Sequence, residues 1–288
     1  MSKIAIITDS NAGIKETTEY ENLFVVPMPF IIDDAEFYED INLSTDEFYE
    51  KLKHDADIHT SQPSYTEVTD LWKKVLENYD EVIYIPMSSG LSSSCSSATG
   101  FANEFPNKVY VVNNQRISVT QKLSVYEALE MAKQGRTAAE IKDYLEKTKM
   151  DATIYIMVPT LKYLKKGGRV TPAAAALAGL FNIKPILQIH GEKLDSFAKV
   201  LSINQAKQKM IQAVKKDLDS FLKEPYESGK LCVNIAHTQN EQEALKFKEE
   251  VAHAFPNMEV KFVDPLSLSV SCHIGPGSLA IAVSRYKE

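Results

Sequence analysis

The stretch that most clearly indicates the fold is VIYIPMSSGLSSS, residues 82–94. Its first four residues are β-branched or aromatic, which is typical of a buried strand, and the polar turn after them indicates the start of a helix. The chain opens in the same way, with an apolar run at residues 4–7 followed by Thr8-Asp9-Ser10. Buried strands that alternate with helices predict a parallel sheet in an α/β domain.

Capping residues mark the starts of several helices. Ser44, Ser64 and Thr137 are each followed three residues later by a glutamate, which is the spacing of a capping box. Residues 23–32 are predicted as one strand. The two prolines within it place it at a sheet edge or at a bulge, because proline cannot donate a ladder hydrogen bond.

Length and rhythm favour two domains. At 288 residues the chain is long for one hydrophobic core, because single cores stop growing near about 250–300 residues. Strands and helices alternate in the first half, and residues 161–178 then offer only short helical pieces. We therefore place an N-terminal α/β domain at residues 1–152 and a C-terminal α/β domain at residues 153–288. In the second domain we expect a long amphipathic helix over 202–222 and a closing strand over 278–284.

Composition excludes several classes of function. A net charge of −7 argues against binding along nucleic acid, which is driven by exchange of protein cations for counterions. No run approaches the roughly 20 apolar residues that span a bilayer, and Asp9 interrupts the first apolar run, so we expect no signal peptide and no integral membrane association. Three cysteines without a CxxC motif are typical of a reduced cytoplasm, and no histidine or cysteine spacing indicates a metal site.

The serine cluster at residues 88–94 is a candidate anion site. It follows a predicted parallel strand, and ligands of open α/β sheets bind outside the carboxyl ends of strands. A helix that begins there presents unpaired N–H groups and a positive partial charge, and the hydroxyl of Ser92 adds a further donor. The alternative is a helix cap in an ordinary polar loop.

Three further residues carry donors in suggestive places. Thr60 and Ser61 precede the predicted cap Ser64 and remain available to face another group, although an ordinary loop explains them equally well. His273 stands beside Gly275-Pro276-Gly277, a turn that lets the backbone pass close to a neighbour. Its imidazole offers a hydrogen bond to a ligand oxygen, whereas a single histidine is more often a structural residue.

The segment 162–169 is basic in an acidic protein, with three lysines and Arg169 around two glycines. Lysines in this position complement the carboxyl end of a helix in a solvated loop. The alternative interpretation is a docking point for an acidic partner or a phosphate.

Seven short motifs occur in one order along the chain and together resemble the DegV family, the fatty-acid-binding proteins that serve bacterial fatty acid kinase. They are Thr8-Asp9-Ser10, Val26-Pro27, Thr60-Ser61-Gln62-Pro63-Ser64, Ser88-Ser89-Gly90-Leu91-Ser92, Gly167-Gly168-Arg169, Lys184-Pro185-Ile186-Leu187 and His273-x-Gly275-Pro276-Gly277. Each motif is weak alone, and the ordered set, which covers essentially the whole chain, is specific.

The resemblance implies a fold and a function. It implies two α/β domains, the second with a mixed sheet, and a long-chain fatty acid buried between them without any other cofactor. Thr60, Ser61 and Ser92 would bind the carboxylate, and His273 would complete the site. Arg169 would contact the catalytic subunit of a separate fatty acid kinase, which would phosphorylate the carboxylate to an acyl phosphate. The chain itself would then present a substrate and would not be an enzyme.

Elementary energetics agrees with such a site. A carboxylate in an apolar interior is costly unless several hydrogen bonds meet it. A 16-carbon tail supplies on the order of 10 kcal/mol at about 0.8 kcal/mol for each buried CH₂, before entropy costs. The small side chains of residues 173–180 are a candidate wall for the tail, although tight helix packing explains them equally well.

Two other functions remain open on the sequence alone. A serine hydrolase or acyltransferase would use Ser92 with His273, but the chain lacks the G-x-S-x-G elbow and indicates no acid to orient the histidine. A binding module for a small hydroxyketone or a phosphate is the third candidate.

Overall fold

The structure is a computed structural model that describes residues 2–15, 17–54, 56–168 and 183–286. Arg169 and the alanine-rich residues 173–180 lie outside the described residues. The chain divides into two compact units, Met1–Lys149 and Met150–Glu288. The first strand of the second unit begins at Ala152, and the domain boundary after residue 152 stays a prediction.

The secondary structure alternates strands and helices in the first unit and continues with longer strands in the second. The strands are β1 Ile4–Asp9, β2 Leu23–Val26, β3 Pro29–Ile32, β4 Ala35–Tyr38, β5 Ile58–Thr60, β6 Glu81–Ile85, β7 Val109–Val111, β8 Ala152–Met157, β9 Lys184–His190, β10 Lys193–Val200, β11 Leu231–His237, β12 Val260–Pro265 and β13 Leu279–Arg285. The α-helices are α1 Thr45–Lys53, α2 Tyr65–Leu76, α3 Ser94–Phe101, α4 Ser118–Lys133, α5 Ala138–Lys147, α6 Lys162–Lys166, α7 Ile203–Leu218, α8 Lys223–Glu227, α9 Glu241–Ala254 and α10 Leu268–Ile274.

The first unit is built on a four-stranded parallel sheet in the order β2-β1-β6-β7, which confirms the predicted sheet. Both faces of its central strands are buried. Ile6 and Ile83 pack in a cluster with residues of α4 and α5, whereas Ile7 and Tyr84 pack in a second cluster with residues of α2 and α3. Successive side chains of a strand point to opposite faces, so burial on both faces requires the continuous apolar runs seen in the sequence.

The prediction of one strand over residues 23–32 is wrong. β2 ends at Val26 and pairs in parallel with β1 at the edge of the main sheet. β3 begins at Pro29 and belongs to a separate antiparallel sheet in the order β4-β3-β5. The prolines end one strand and start the next because proline is tolerated at the first position of a strand and interrupts a ladder elsewhere.

The predicted helix starts are confirmed. The side chains of Ser44, Ser64 and Thr137 each accept a hydrogen bond from the backbone N–H of the glutamate three residues later. The side chain of that glutamate accepts a hydrogen bond from the backbone N–H of the cap residue. These capping boxes satisfy backbone donors that have no partner within the first turn.

The second unit contains a six-stranded mixed sheet in the order β10-β9-β8-β13-β11-β12. β11 and β12 run parallel, and the other neighbouring pairs are antiparallel. The predicted helix over 202–222 ends earlier, at Leu218, and α8 follows it. Strand β10 and helix α10 were not predicted. Within the described residues, no helix has the length and apolar character needed to cross a membrane.

Candidate functional site

The serine-rich turn lies between the end of β6 and the start of α3, as the sequence predicted. Its backbone is fixed by three hydrogen bonds. The N–H of Ser88 donates to the carbonyl of Arg116 at 2.8 Å, and the N–H groups of Leu91 and Ser92 donate to the carbonyl of Ser88 at 3.0 and 3.1 Å. The turn is therefore a defined loop over the carboxyl end of the central strand.

The Ser92 hydroxyl serves the helix and still has capacity for a ligand. Ser92 is half-buried, and its Oγ accepts a hydrogen bond from the N–H of Ser94 at 3.1 Å. The Oγ atoms of Ser92 and Ser94 lie 2.8 Å apart, and either one is able to donate. When Ser94 donates, the proton of Ser92 is left for another acceptor. The capping interpretation and the anion interpretation are thus compatible at this residue.

Thr60 and Ser61 lie at the end of β5. Thr60 is the last residue of the strand, stands opposite Phe30 of β3 and is half-buried. The N–H of Ser61 donates to the carbonyl of Pro29 at 3.3 Å, and its Oγ donates to the carbonyl of Gln62 at 3.1 Å. Because Ser61 is exposed and its hydroxyl proton is engaged, its side chain is a poor donor for a buried ligand.

Gln62 joins these two loops. Its Oε1 accepts hydrogen bonds from Ser93 Oγ at 2.8 Å and from Ser97 Oγ at 3.0 Å. Gln62, two residues after Thr60, is therefore bonded to Ser93, the residue after Ser92, at the start of α3. Sequence reasoning quoted Gln62 within a motif and assigned it no role, because nothing in the local pattern links it to a helix 31 residues away.

The start of α3 carries neutral hydrogen-bond donors. The first turn of the helix presents backbone N–H groups, and Ser93, the residue before it, makes no side-chain cap. Burial raises the pKa of the Cys95 thiol in this turn to about 11, so the thiol is protonated near neutral pH. Cys95 therefore adds no negative charge to the turn.

His273 lies in the last turn of α10 in the second unit, where it is half-buried. The turn after α6 packs directly against its ring, because a side chain at Gly167 would run into Nδ1 of His273. Gly275 has a φ of +80°, and a side chain there would run into the ring of Tyr163 in α6. Two glycines thus allow α6 and α10 to approach closely enough to fix the imidazole.

Thr238 holds the turn that follows His273. Thr238 is fully buried just after β11, and its Oγ1 donates to the carbonyl of Gly275 at 2.5 Å and accepts from the N–H of Ser278 at 3.0 Å. The N–H of Gly277 donates to the carbonyl of Thr238 at 2.7 Å. Sequence reasoning missed this residue; its only signal is a threonine directly after an apolar strand.

The predicted site residues therefore fall into three groups. Thr60, Ser61 and Ser92 lie on loops of the first unit that are joined by hydrogen bonds, and His273 lies in the second unit. Arg169 lies outside the described residues. Across the described ranges, no group of three histidine, cysteine, aspartate or glutamate side chains is arranged to hold a metal ion.

Comparison with known proteins decides the family. A family model described as "Uncharacterised protein, DegV family" matches residues 3–285. The chain belongs to the DegV family. The resemblance inferred from the seven motifs is thereby confirmed.

Relatives of this DegV chain extend over its whole length. Protein DegV of Bacillus subtilis is 30% identical over 283 residues, which is 96% of this chain and 98% of the relative. A crystal structure of DegV from Bacillus subtilis, described as a fatty acid binding protein, has a TM-score of 0.84 at 28% identity and covers 99% of this chain and 100% of its own. A fatty acid binding DegV family protein from Streptococcus agalactiae has a TM-score of 0.87 at 26% identity, with 99% of each chain covered. These matches confirm the predicted fold class.

Proposed function

We propose that this DegV protein binds a long-chain fatty acid and holds its carboxylate with Thr60, Ser92 and His273. The observation that carries the proposal is the pair of loops that Gln62 joins at the start of α3. Through Gln62, the segment that follows Thr60 is bonded to the residue that follows Ser92 and to the first turn of α3, where backbone N–H groups are presented. The solved relatives described as fatty acid binding proteins support the ligand class.

The chemistry of these donors suits a carboxylate. A carboxylate accepts several hydrogen bonds, and neutral donors satisfy it without adding a buried cation. His273 supplies an N–H donor that the packing of Gly167 keeps in one place. Ser61 contributes through its backbone bond to Pro29, which keeps Thr60 in the sheet.

We propose further that the bound carboxylate is presented to a separate fatty acid kinase, which phosphorylates it to an acyl phosphate. Arg169, in a basic segment of an acidic chain, would contact that kinase. In this scheme the DegV chain contributes no catalytic group, and it works in the cytoplasm, where the kinase and ATP are found.

The direct test of ligand class is mass spectrometry of lipid extracted from the purified native protein. We expect a fatty acid near one per chain. Recovery of a phosphorylated or hydroxyketone compound, with no fatty acid, would favour the small-molecule module instead.

The same preparation is incubated with a chromogenic ester. Turnover of the ester that Ser92→Ala abolishes would favour a hydrolase over a carrier.

The kinase step has its own test. The lipid-loaded protein is incubated with the catalytic subunit of a bacterial fatty acid kinase and ATP, and acyl phosphate is trapped and measured. Arg169→Ala is expected to retain the lipid and to lower the rate of phosphorylation. Unchanged phosphorylation by this variant would remove the docking role of Arg169 and leave the binding proposal intact.

A further inference from the structure

The end of β1 carries a buried polar cluster that the proposed binding site does not use. Thr8 and Asp9 are fully buried, and Asn11 is 1% exposed. Polar side chains at this depth are retained where they make hydrogen bonds, because an unpaired polar group in the interior is costly. Their partners lie chiefly at the end of β6 and in the segment that leads to Ser92.

Asp9 fixes the segment that leads to Ser92. Its Oδ2 accepts a hydrogen bond from the N–H of Met87 at 2.7 Å, and its Oδ1 accepts from the N–H of Asn11 at 3.0 Å and from Gln121 Nε2 at 3.1 Å. Each of these partners is a hydrogen-bond donor; burial raises the pKa of the Asp9 carboxyl, and these bonds oppose that rise. Met87 directly precedes the serine-rich turn, so Asp9 holds the backbone at the point where the turn begins.

Thr8 and Asn11, on either side of Asp9, contact the same segment at the end of β6 and the start of the serine-rich turn. Thr8 Oγ1 donates to the carbonyl of Ile85, the last residue of β6, at 2.8 Å. Asn11 Nδ2 lies 3.0 Å from Met87 Sδ. The end of β6 and the start of the turn are therefore fixed by three side chains from the end of β1.

Ser10 points to the other loop. Its Oγ accepts a hydrogen bond from the N–H of Met28 at 3.0 Å. Met28 immediately precedes β3, and β3 pairs with β5, where Phe30 stands opposite Thr60. One short turn thus has two arms: Asp9 reaches the segment before Ser92, and Ser10 reaches the start of β3, which pairs with the strand that ends at Thr60.

We propose that Asp9 and Ser10 are positioning residues that align the two hydroxyl donors, Asp9 chiefly that of Ser92 and Ser10 chiefly that of Thr60, although Gln62 links the two loops. The inference rests on the proposed fatty acid site. What the inference adds is a pairing: Asp9 with Ser92, and Ser10 with Thr60. A residue that merely stabilises the fold would weaken binding to the same extent whichever hydroxyl is present. Double-mutant cycles measure such coupling, since substitutions that act through separate routes add and those that share a route do not.

The experiment measures the dissociation constant of palmitate for delipidated protein carrying Asp9→Asn, Ser10→Ala, Ser92→Ala or Thr60→Ala, and for the four cross combinations. We expect Asp9→Asn to weaken binding about tenfold and Ser10→Ala about threefold, the range of one or two lost hydrogen bonds. Ser92→Ala should add little to Asp9→Asn and most of its effect to Ser10→Ala. Thr60→Ala should show the opposite pattern.

Further variants separate alignment from stability. Thr8→Val removes the bond to Ile85 at nearly constant volume and tests the Ser92 arm if Asp9→Asn does not fold; we expect a loss of about threefold that is again not additive with Ser92→Ala. Ile141→Val lowers stability from a buried position in α5 that makes none of these hydrogen bonds, and its palmitate affinity should equal that of the parent protein.

The outcomes distinguish the two proposals. If Ser92→Ala and Thr60→Ala weaken binding and all four combinations are additive, the positioning inference is overturned and the fatty acid site stands. If the parent protein takes up no palmitate and carries no fatty acid when purified, the proposed function fails and this inference fails with it.

Discussion

The surroundings of the proposed donors differ between the two units. In the first unit polar side chains of Asp9, Ser10 and Gln62 make hydrogen bonds to the segments that lead to or follow Ser92 and Thr60. In the second unit Gly167 packs so closely against the ring of His273 that one added methyl group has no room. Loss of one hydrogen bond should lower stability or palmitate affinity by a limited amount, whereas an added side chain in a closely packed contact should displace its neighbour. The two regions should therefore respond differently to substitution.

The largest effect is expected where packing and backbone conformation act together. Gly275→Ala places a side chain at a φ of +80° and drives it into the ring of Tyr163. Overpacking costs typically about 1–3 kcal/mol, and the strained backbone adds to that, so the melting temperature should fall clearly by calorimetry. Gly229→Ala is the matched control, since Gly229 has a φ of +66° and a Cβ there meets nothing within 4 Å. A Gly275→Ala melt equal to that of Gly229→Ala would show that the approach of α6 and α10 is not tight.

Gly167→Ala separates the position of the imidazole from stability. The obstructing atom belongs to the side chain of His273, so the ring is expected to rotate away at modest cost to folding. Palmitate affinity should then fall to about that of His273→Ala, while the melting temperature falls less than in Gly275→Ala. Titration calorimetry with palmitate measures the first and scanning calorimetry the second. Retained affinity in Gly167→Ala would mean that the ring position does not matter for binding.

In the first unit, Thr60→Ala and Ser92→Ala should each weaken palmitate binding by roughly 1–3 kcal/mol, the cost of leaving a buried carboxylate short of one donor. Thr66→Ala, an exposed threonine in the first turn of α2, is the matched control and should leave affinity unchanged. Parent-like affinity in both site variants would contradict the assignment of the carboxylate to these loops.

Thr238 brings a graded, hydrogen-bonded contact into the second unit. Thr238→Val removes the donor to Gly275 and the acceptor for Ser278, and should weaken both folding and palmitate binding by about 1–3 kcal/mol. Thr238→Ser keeps the hydroxyl and should restore most of the loss. If the serine variant behaves like the valine variant, the methyl group and not the hydroxyl holds the turn.

The smallest effect is expected at Ser61. Its hydroxyl proton is engaged with the carbonyl of Gln62 and the side chain is exposed, so Ser61→Ala should change palmitate affinity by less than about 0.5 kcal/mol. A loss as large as that of Thr60→Ala would place the Ser61 hydroxyl on the carboxylate and revise the division of roles between the two residues.

Much of the fold followed from local pattern, and the errors have physical causes. Buried strands such as β6 and capped helices such as α2 carry their signals within a few residues. Strand β10 was not predicted because it is an edge strand whose alternate side chains are exposed. Its ladder hydrogen bonds are made with β9 and leave no signal in its own sequence. Helix α10 was not predicted because it has only seven residues, too few for a helical repeat of apolar residues to be distinguished from a turn.

The site was predictable only in part for a related reason. Thr60 and Ser92 follow strands directly, and that position marks them as candidates. Asp9 and Thr238 act on backbone groups 78 and 37 residues away in the chain, and such pairings appear only once the strands are in register. The sequence therefore indicated the donors, and the structure was needed to see what aligns them.

The most direct test of the central claim compares palmitate with palmitic acid methyl ester in titration calorimetry. The two share a tail, and only the first offers a carboxylate to Thr60, Ser92 and His273. We predict that palmitate binds at least about tenfold more tightly, since hydrogen bonds to a charged group contribute more than those to a neutral one. We predict also that this preference disappears in the Thr60→Ala, Ser92→Ala double variant. Equal affinity for acid and ester in the parent protein would contradict the account.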